Sequence, residues 1–341
     1  MEGIVKYSLD AGSESPLPAS DNLTSEFINL TPTHSRVKQI WAIGGGKGGV
    51  GKSLISSSLA IALSQKGNKV IAIDLDLGGA NLHTILGIDL PDKTLNDFFC
   101  QRETQIEKCV VPSIIPNLAL ISGAQDSLGI ANLLPTQKAE FLKSVRELDA
   151  DYLIFDLGAG TSFNTLDFFL YSDIGIITLL PEPTSIENGY RFIKSAYYRY
   201  LMHCHSLEAI RPIIKMAMDQ KNIAGIKSPR DLIREVNNKN PELTALLRKE
   251  IEKFKPNLII NQTRTQSDID IGSSVKMICK KHFGIDMDYL GNIDYDSSAW
   301  QAVRRKRPLM LEFPNSKLIT SIEQIVQKLI KNHSLSKNSI S

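Results

Sequence analysis

Ten consecutive residues carry the clearest chemistry in the chain: Gly44-Gly45-Gly46-Lys47-Gly48-Gly49-Val50-Gly51-Lys52-Ser53. From Gly46 to Ser53 they satisfy the pattern G-x-x-x-x-G-K-[ST] at every fixed position. Glycines at these spacings let successive backbone N–H groups turn inward on an anion. A helix that starts there adds its positive end and free N–H donors. Lys52 then places a compact charge on the β and γ phosphates of a nucleotide, and the Ser53 hydroxyl is a ligand for Mg²⁺. On this reading Gly46, Lys47, Gly48, Gly49, Val50, Gly51, Lys52 and Ser53 bind the nucleotide. The flanks agree: an apolar run, Ile40 to Ile43, precedes the loop, and apolar residues at helical spacing follow from Leu54 to Leu63. Strand, glycine-rich turn and helix are the context in which the motif means a phosphate cradle. Lys47 is a second lysine that an ordinary loop of this kind does not need. Taken alone, it reads as a solvated surface residue.

Hydrolysis needs more than a cradle, and three aspartates are candidates. Asp156 closes the apolar run Tyr152-Leu153-Ile154-Phe155, the pattern in which a carboxylate holds Mg²⁺ directly or through water. Gly158 and Gly160 follow it, as a mobile sensor of the γ-phosphate would require. Asp74 and Asp76 end a second apolar run, Val70 to Ile73. Asp76 is the candidate for orienting the attacking water, with Asp74 behind it. The plainer reading of such residues is that each caps the next turn, which aspartate does often. What favours function is that each lies where the loop needs an acid. Catalysis is thus assigned to Lys52 and Asp76, and the metal to Ser53 and Asp156.

These residues need elements to hold them. Near-continuous apolar runs recur at 38–43, 69–75, 118–121, 152–155, 174–180, 258–260 and 289–293, with helical patterns between. Such runs suit parallel strands covered on both faces. Strand–helix alternation over 38–331 predicts an α/β fold, a doubly wound, mostly parallel sheet flanked by helices. Ligands of such sheets bind at the carboxyl ends of the strands, where the aspartates stand. Residues 1–37 read as a mobile arm and 332–341 as a polar tail. Residues 206–257 break the rhythm. From Arg211 to Lys255 there are 11 Lys/Arg and 6 Asp/Glu, a local +5, with Leu232, Val236, Leu243, Leu246, Leu247 and Ile251 as an apolar side. A basic helical insertion, more a solvated decoration than a docking surface, is expected there. The last pattern, at 317–331, reads as a helix packed on the sheet.

Composition excludes several classes. Net charge over 341 residues is +2, so nothing global points to nucleic acid. Four scattered cysteines without a C-x-x-C pair suggest a reducing compartment and argue against an iron–sulfur carrier. No apolar run is long enough to span a membrane, and the first 20 residues show no leader pattern. A cytoplasmic protein is expected.

The string Lys47-Gly48-Gly49-Val50-Gly51-Lys52-Ser53 resembles the deviant Walker A motif of the MinD/ParA family of P-loop ATPases. Asp74-Leu75-Asp76-Leu77-Gly78-Gly79-Ala80-Asn81-Leu82 resembles that family's switch I, and Asp156-Leu157-Gly158-Ala159-Gly160 its switch II. Asn261, after Leu258-Ile259-Ile260, matches the family's adenine-reading asparagine, whose amide offers a donor and an acceptor. The glycine at 158 and the stretch Ala302 to Leu309 are most similar to the flagellar-number regulators of the FleN/FlhG/YlxH type. Residues 1–37 lack the D-Q-A-x-x-L segment that such proteins often carry. The resemblance implies ATP and Mg²⁺ as ligands and an ATP-dependent homodimer in which Lys47 crosses to the partner's phosphates. It also implies slow hydrolysis without a stimulating protein, and a role in flagellar number or division-site placement. A DNA-binding segregation ATPase and an iron–sulfur scaffold are the alternative readings. A peripheral membrane-surface contact and a DNA contact through Arg304 to Arg307 stay open.

Overall fold

The computed structural model describes residues 37–123, 133–218, 225–226 and 228–338. The expected arm therefore lies outside the described residues, except Val37, which is buried in the core. In chain order the elements are β1 (Gln39–Gly44), α1 (Lys52–Gln65), β2 (Val70–Leu75), α2 (Leu82–Ile85), α3 (Leu95–Phe99), β3 (Val110–Pro112), β4 (Leu118–Ile121) and α4 (Pro135–Glu147). Next come β5 (Tyr152–Leu157), α5 (Phe163–Tyr171), β6 (Ile174–Leu179), α6 (Pro183–His203), α7 (Arg211–Met218), α8 (Pro229–Lys239) and α9 (Pro241–Lys253). The chain closes with β7 (Asn257–Thr263), α10 (Gln266–Ile278), β8 (Asp288–Asp294), α11 (Ser297–Arg304), α12 (Leu309–Glu312) and α13 (Lys317–Asn338).

The strands form one sheet in the order β3-β4-β2-β5-β1-β6-β7-β8, parallel except for the β3 edge. Side chains alternate between its faces, as a period of two requires. Ile40 and Ala42 of β1 join one core with Leu153 and Phe155 of β5. Trp41 and Ile43 join the opposite core with Ile154. Helices α4, α5, α6 and α10 cover the first face, with α7 to α9 packed outside them on α6 and on other helical segments, and α1, α11, α12 and α13 lie on the second. Each fully buried Leu, Ile or Phe contributes about 1.5–3 kcal/mol before chain entropy is set against it. The doubly wound sheet is thus present as expected. β1, whose carboxyl end becomes the glycine loop, lies between β5 and β6.

Local differences from the sequence reading have physical causes. Between α3 and β4, Ile106–Cys109 is a single 3₁₀ turn, and Val110–Pro112 pairs antiparallel with β4. Two β-branched residues favour extension, and a proline is tolerated on an edge strand. Helix α10 starts at Gln266, because Thr265 and Asp268 form a reciprocal cap: the Asp268 N–H donates to Thr265 Oγ1 at 3.3 Å and the Thr265 N–H to Asp268 Oδ2 at 2.9 Å. The basic insertion is helical, but Leu246 is exposed, while Leu232, Val236, Leu247 and Ile251 are buried. The final helix extends to Asn338, into the stretch read as a polar tail. Its Leu318, Ile319, Ile322, Ile325, Val326 and Leu329 are packed in the core, as expected for a helix on the sheet.

Phe141 on α4 stacks against Phe98, Phe99, Phe155 and Phe168, with ring centroids 5.4–6.4 Å away. It ties α3, α4 and α5 to β5. Phe141→Ala is expected to lower the unfolding free energy by about 3–5 kcal/mol, since the rigid rings around it cannot collapse into the space. Urea unfolding followed by circular dichroism measures this, and a loss under about 1 kcal/mol would show a core far looser than the packing implies.

Candidate functional site

The glycine loop leaves β1 tightly enclosed. A Cβ on Gly46 would stand 2.0 Å from the backbone oxygen of Asn188 on α6, so only glycine fits. Gly51 takes φ +90° immediately before α1, and a Cβ there would meet Asn261 Nδ2 at 2.3 Å. Gly48 and Gly49 form the exposed apex. Lys52 begins α1 and is almost wholly buried. Burial holds its ammonium below the usual lysine range, while the charges of Asp156 and Asp76 pull the other way.

Asp74 and Asp156 are register partners on β2 and β5, both buried. Burial raises Asp156 to about 6, against hydrogen bonds from Ser53 and Ser56 and the charge of Lys52. Ser56 Oγ donates to Asp156 Oδ1 at 2.9 Å. Burial, and after it the Asp156 charge, push Asp74 up to about 8. Its carboxylate accepts the Leu82 N–H at 2.9 Å and the Asp76 N–H at 3.1 Å. Asp74 therefore ties down both ends of the loop read as switch I. Asp76 is half-buried, and its Oδ1 would be 3.2 Å from a Cβ on Gly158. The Gly160 N–H donates to the Gly45 carbonyl at 3.2 Å, so the segment after β5 rests on the glycine loop. Asp156 and Asp76 both act on the one Lys52 ammonium, so the negative charge exceeds the positive charge beside it. Together with the Ser53 hydroxyl beside Asp156, this is a donor set of oxygens that fits a small hard divalent cation.

Lys47 lies apart from that cluster. Its Nζ is 3.2 Å from Glu182 Oε2 and 3.2 Å from Thr184 Oγ1, at the start of α6. The pair is largely solvent-accessible, and such pairs contribute about 0–1 kcal/mol. Asn261 is placed differently from the expectation of a base-reading amide. It is buried, its Nδ2 donates to the Val50 carbonyl at 2.8 Å, and its Oδ1 accepts the Gln262 N–H at 2.9 Å. It clamps the loop from the β7 side. Beside it, at the carboxyl ends of β7 and β8, a cleft of about 420 Å³ is lined by Thr263, Arg264, Gln266, Asp294, Tyr295 and Lys317. The Arg264 guanidinium lies 4.1 Å from the Tyr295 ring centroid.

The structure thus gathers the loop, Lys52, Ser53, Asp74, Asp76, Asp156, Gly158 and Gly160 at one edge of the sheet, and turns Lys47 aside onto its own chain. Sequence reasoning missed Ser56, Glu182 and Thr184. Ser56 had only its position one turn beyond Ser53 to recommend it. Glu182 sat visibly between Pro181 and Pro183 at a strand end, without a sign of its partner.

A mostly parallel sheet whose first strand opens into this loop, with an aspartate closing the neighbouring strand, defines a P-loop NTPase. The ParA family profile, described as NUBPL iron-transfer P-loop NTPase, matches residues 36–189. The antiactivator FleN of Pseudomonas aeruginosa is 27% identical over 85% of this chain and 86% of its own length. The flagellum site-determining protein YlxH of Helicobacter pylori is 37% identical over 45% of this chain, which spans only about half of YlxH (52%). The septum site-determining protein MinD of Pyrococcus horikoshii, solved with Mg-ADP, superposes with a TM-score of 0.60 at 20% identity, covering 87% of this chain and 98% of that one. A ParA family ATPase from Chlorobium tepidum gives 0.59 at 18% identity, covering 86% and 99%. Residues 36–189 thus carry the ParA family profile, and the chain has the P-loop NTPase fold of the MinD and ParA proteins.

Asn261→Ala would leave the Val50 carbonyl without its buried donor, at a cost of about 1–3 kcal/mol. Thermal unfolding should register that loss, and titration with a fluorescent ATP analogue should show weakened binding. Unchanged nucleotide affinity would limit Asn261 to a purely local hydrogen bond.

Proposed function

We propose that this chain is a Mg²⁺-dependent ATPase that works as a dimerisation switch. The observation that carries this reading is the placement of Lys47. It stands inside the phosphate loop, yet it is held on Glu182 and Thr184 by contacts weak enough to exchange. A lysine so placed can swing to an anion outside its own site, such as the phosphates of a second copy facing it.

In this reading the N–H groups of Gly46 to Ser53 and the Lys52 ammonium hold the β and γ phosphates. The nucleoside occupies the cleft beside Arg264 and Tyr295. Ser53 and Asp156 hold Mg²⁺, which when bound neutralises phosphate charge and polarises the γ-phosphoryl group. Asp76 orients the attacking water. Gly158 and Gly160 let their segment follow the γ-phosphate. The partner copy's Lys47 stabilises charge that grows in the transition state. Turnover is then slow until a second protein stimulates it. Relatives named for flagellar antiactivation and for flagellum-site or septum-site determination support a role in flagellar number or placement, or in the division site. The cytoplasm is the proposed location. No described helix is long and apolar enough to cross a membrane. The apolar side of the final helix up to Leu329 is already spent in the core, so any membrane-surface contact must use another face.

An Asp76→Ala chain should bind ATP without hydrolysing it and sediment as a dimer at tens of micromolar. If it binds ATP and stays monomeric, the switch reading fails. Lys47→Ala should keep the fold and lower turnover by about 10²–10³, the usual effect of losing one transition-state donor. Steady-state phosphate release checks this, and an unaltered rate would remove the role given to Lys47.

A further inference from the structure

Helix α11 leads into a surface that the nucleotide site does not use. It ends at Arg304, and Arg305, Lys306 and Arg307 form the turn that follows, all four exposed. Trp300, on the same helix, is 62% exposed, and the Arg304 guanidinium lies 5.3 Å from its ring centroid. Val303 is also exposed. Arg305 is engaged by Glu312. Among the described residues, Arg304, Lys306 and Arg307 have no carboxylate partner within ion-pair distance. The turn is rigid: Lys306 takes φ +52°, the Lys306 N–H donates to the Val303 carbonyl at 3.0 Å and the Arg307 N–H to that of Ala302 at 3.1 Å. An exposed tryptophan beside arginines has the composition of a protein-binding hot spot, where lysine-rich surfaces do not. Its complement is a segment carrying carboxylates and a few apolar side chains.

The chain itself contains such a segment. Residues 1–36 hold five acids, Glu2, Asp10, Glu14, Asp21 and Glu26, against two bases, Lys6 and Arg36, a net charge of −3. The whole chain is +2, so the remainder carries +5. Leu23, Phe27, Ile28 and Leu30 lie among the last of those acids. Glu26 stands eleven residues before Val37, where the buried core begins, and that stretch reaches up to about 35 Å when extended. A six-residue strand spans only about 20 Å, so Glu26 can pass from the amino edge of the sheet, where Val37 lies, to the carboxyl edge.

We propose that residues 1–36 dock on this turn, with their carboxylates on Arg304, Lys306 and Arg307 and an apolar side chain against Trp300. The turn is seated on α2: a Cβ on Gly87, just past that helix, would be 3.0 Å from the Lys306 carbonyl oxygen. Helix α2 begins at Leu82, whose N–H is held by Asp74. The docked segment therefore bears on the element that ends switch I.

The two tryptophans make the test direct, because Trp41 is fully buried and Trp300 is exposed unless something covers it. Acrylamide quenching of the full chain, with Trp300→Phe assigning the signal, should find Trp300 shielded. Raising salt from about 0.1 M to about 1 M, which shortens the screening length from about 10 Å to about 3 Å, should raise its quenching constant about twofold or more. Neutralising the segment (Asp10→Asn, Glu14→Gln, Asp21→Asn and Glu26→Gln together) or reversing the turn (Arg307→Glu) should do the same while Trp41 emission stays constant. Trp300 quenched freely in the unmodified chain, with neither salt nor variants changing it, overturns the proposal. Shielding that appears only on adding phosphatidylglycerol vesicles or duplex DNA, and not from residues 1–36, assigns the surface to those anions and equally overturns it.

Discussion

Two buried carboxylates, Asp74 and Asp156, stand on adjacent strands; the buried Lys52 ammonium acts on Asp156 but not on Asp74, and this shortage of positive charge organises the site. Neither acid can be solvated by water, and each makes the other harder to ionise. The protein meets part of the deficit with neutral donors. Ser53 and Ser56 serve Asp156, and two backbone N–H groups serve Asp74. In the proposed function, what those donors leave over is met by a cation that arrives with a phosphate chain. The loop of backbone N–H groups beside it supplies the complementary attraction for the phosphates themselves.

The same arrangement explains why switch I is shaped as it is. Asp74 is not a spare acid behind Asp76. Its two hydrogen bonds fix where Asp76 leaves the strand and where α2 begins. Asp76 is thereby brought against Gly158, and Gly160 against Gly45, so the segments after β2 and β5 meet over the glycine loop. Whatever fills that loop pushes on both.

Much of this was legible from residue types and spacing. Strands buried on both faces announce themselves as unbroken apolar runs, and a glycine loop between strand and helix has few other meanings. Asp156 and Asp76 could be placed because strand ends in a parallel sheet converge. Contacts across the chain were not legible. Nothing near Asn261 says that its amide holds Val50, 211 residues earlier, and nothing near Lys47 names Glu182. Elements whose formation depends on capping or pairing also leave no apolar run to read. Val110–Pro112 becomes a strand only because β4 offers an edge, and the first turns of α10 rely on Thr265 and Asp268 instead of an apolar stripe. The insertion's apolar side was read correctly at Leu232 and Val236 and wrongly at Leu246. Periodicity gives a helix's inward direction but not how wide the covered arc is.

The closeness of Gly46 to the backbone of Asn188 has a mechanical side. Asn188 belongs to α6, a helix of 21 residues and thus about 31 Å long. Its first turn carries Glu182 and Thr184 at the glycine loop, and its far end runs into the helical segment that begins at His205. One continuous helix, packed in the core through Phe192, Ile193 and Ala196, therefore joins the glycine loop to the start of the basic insertion, and sets the two about 30 Å apart.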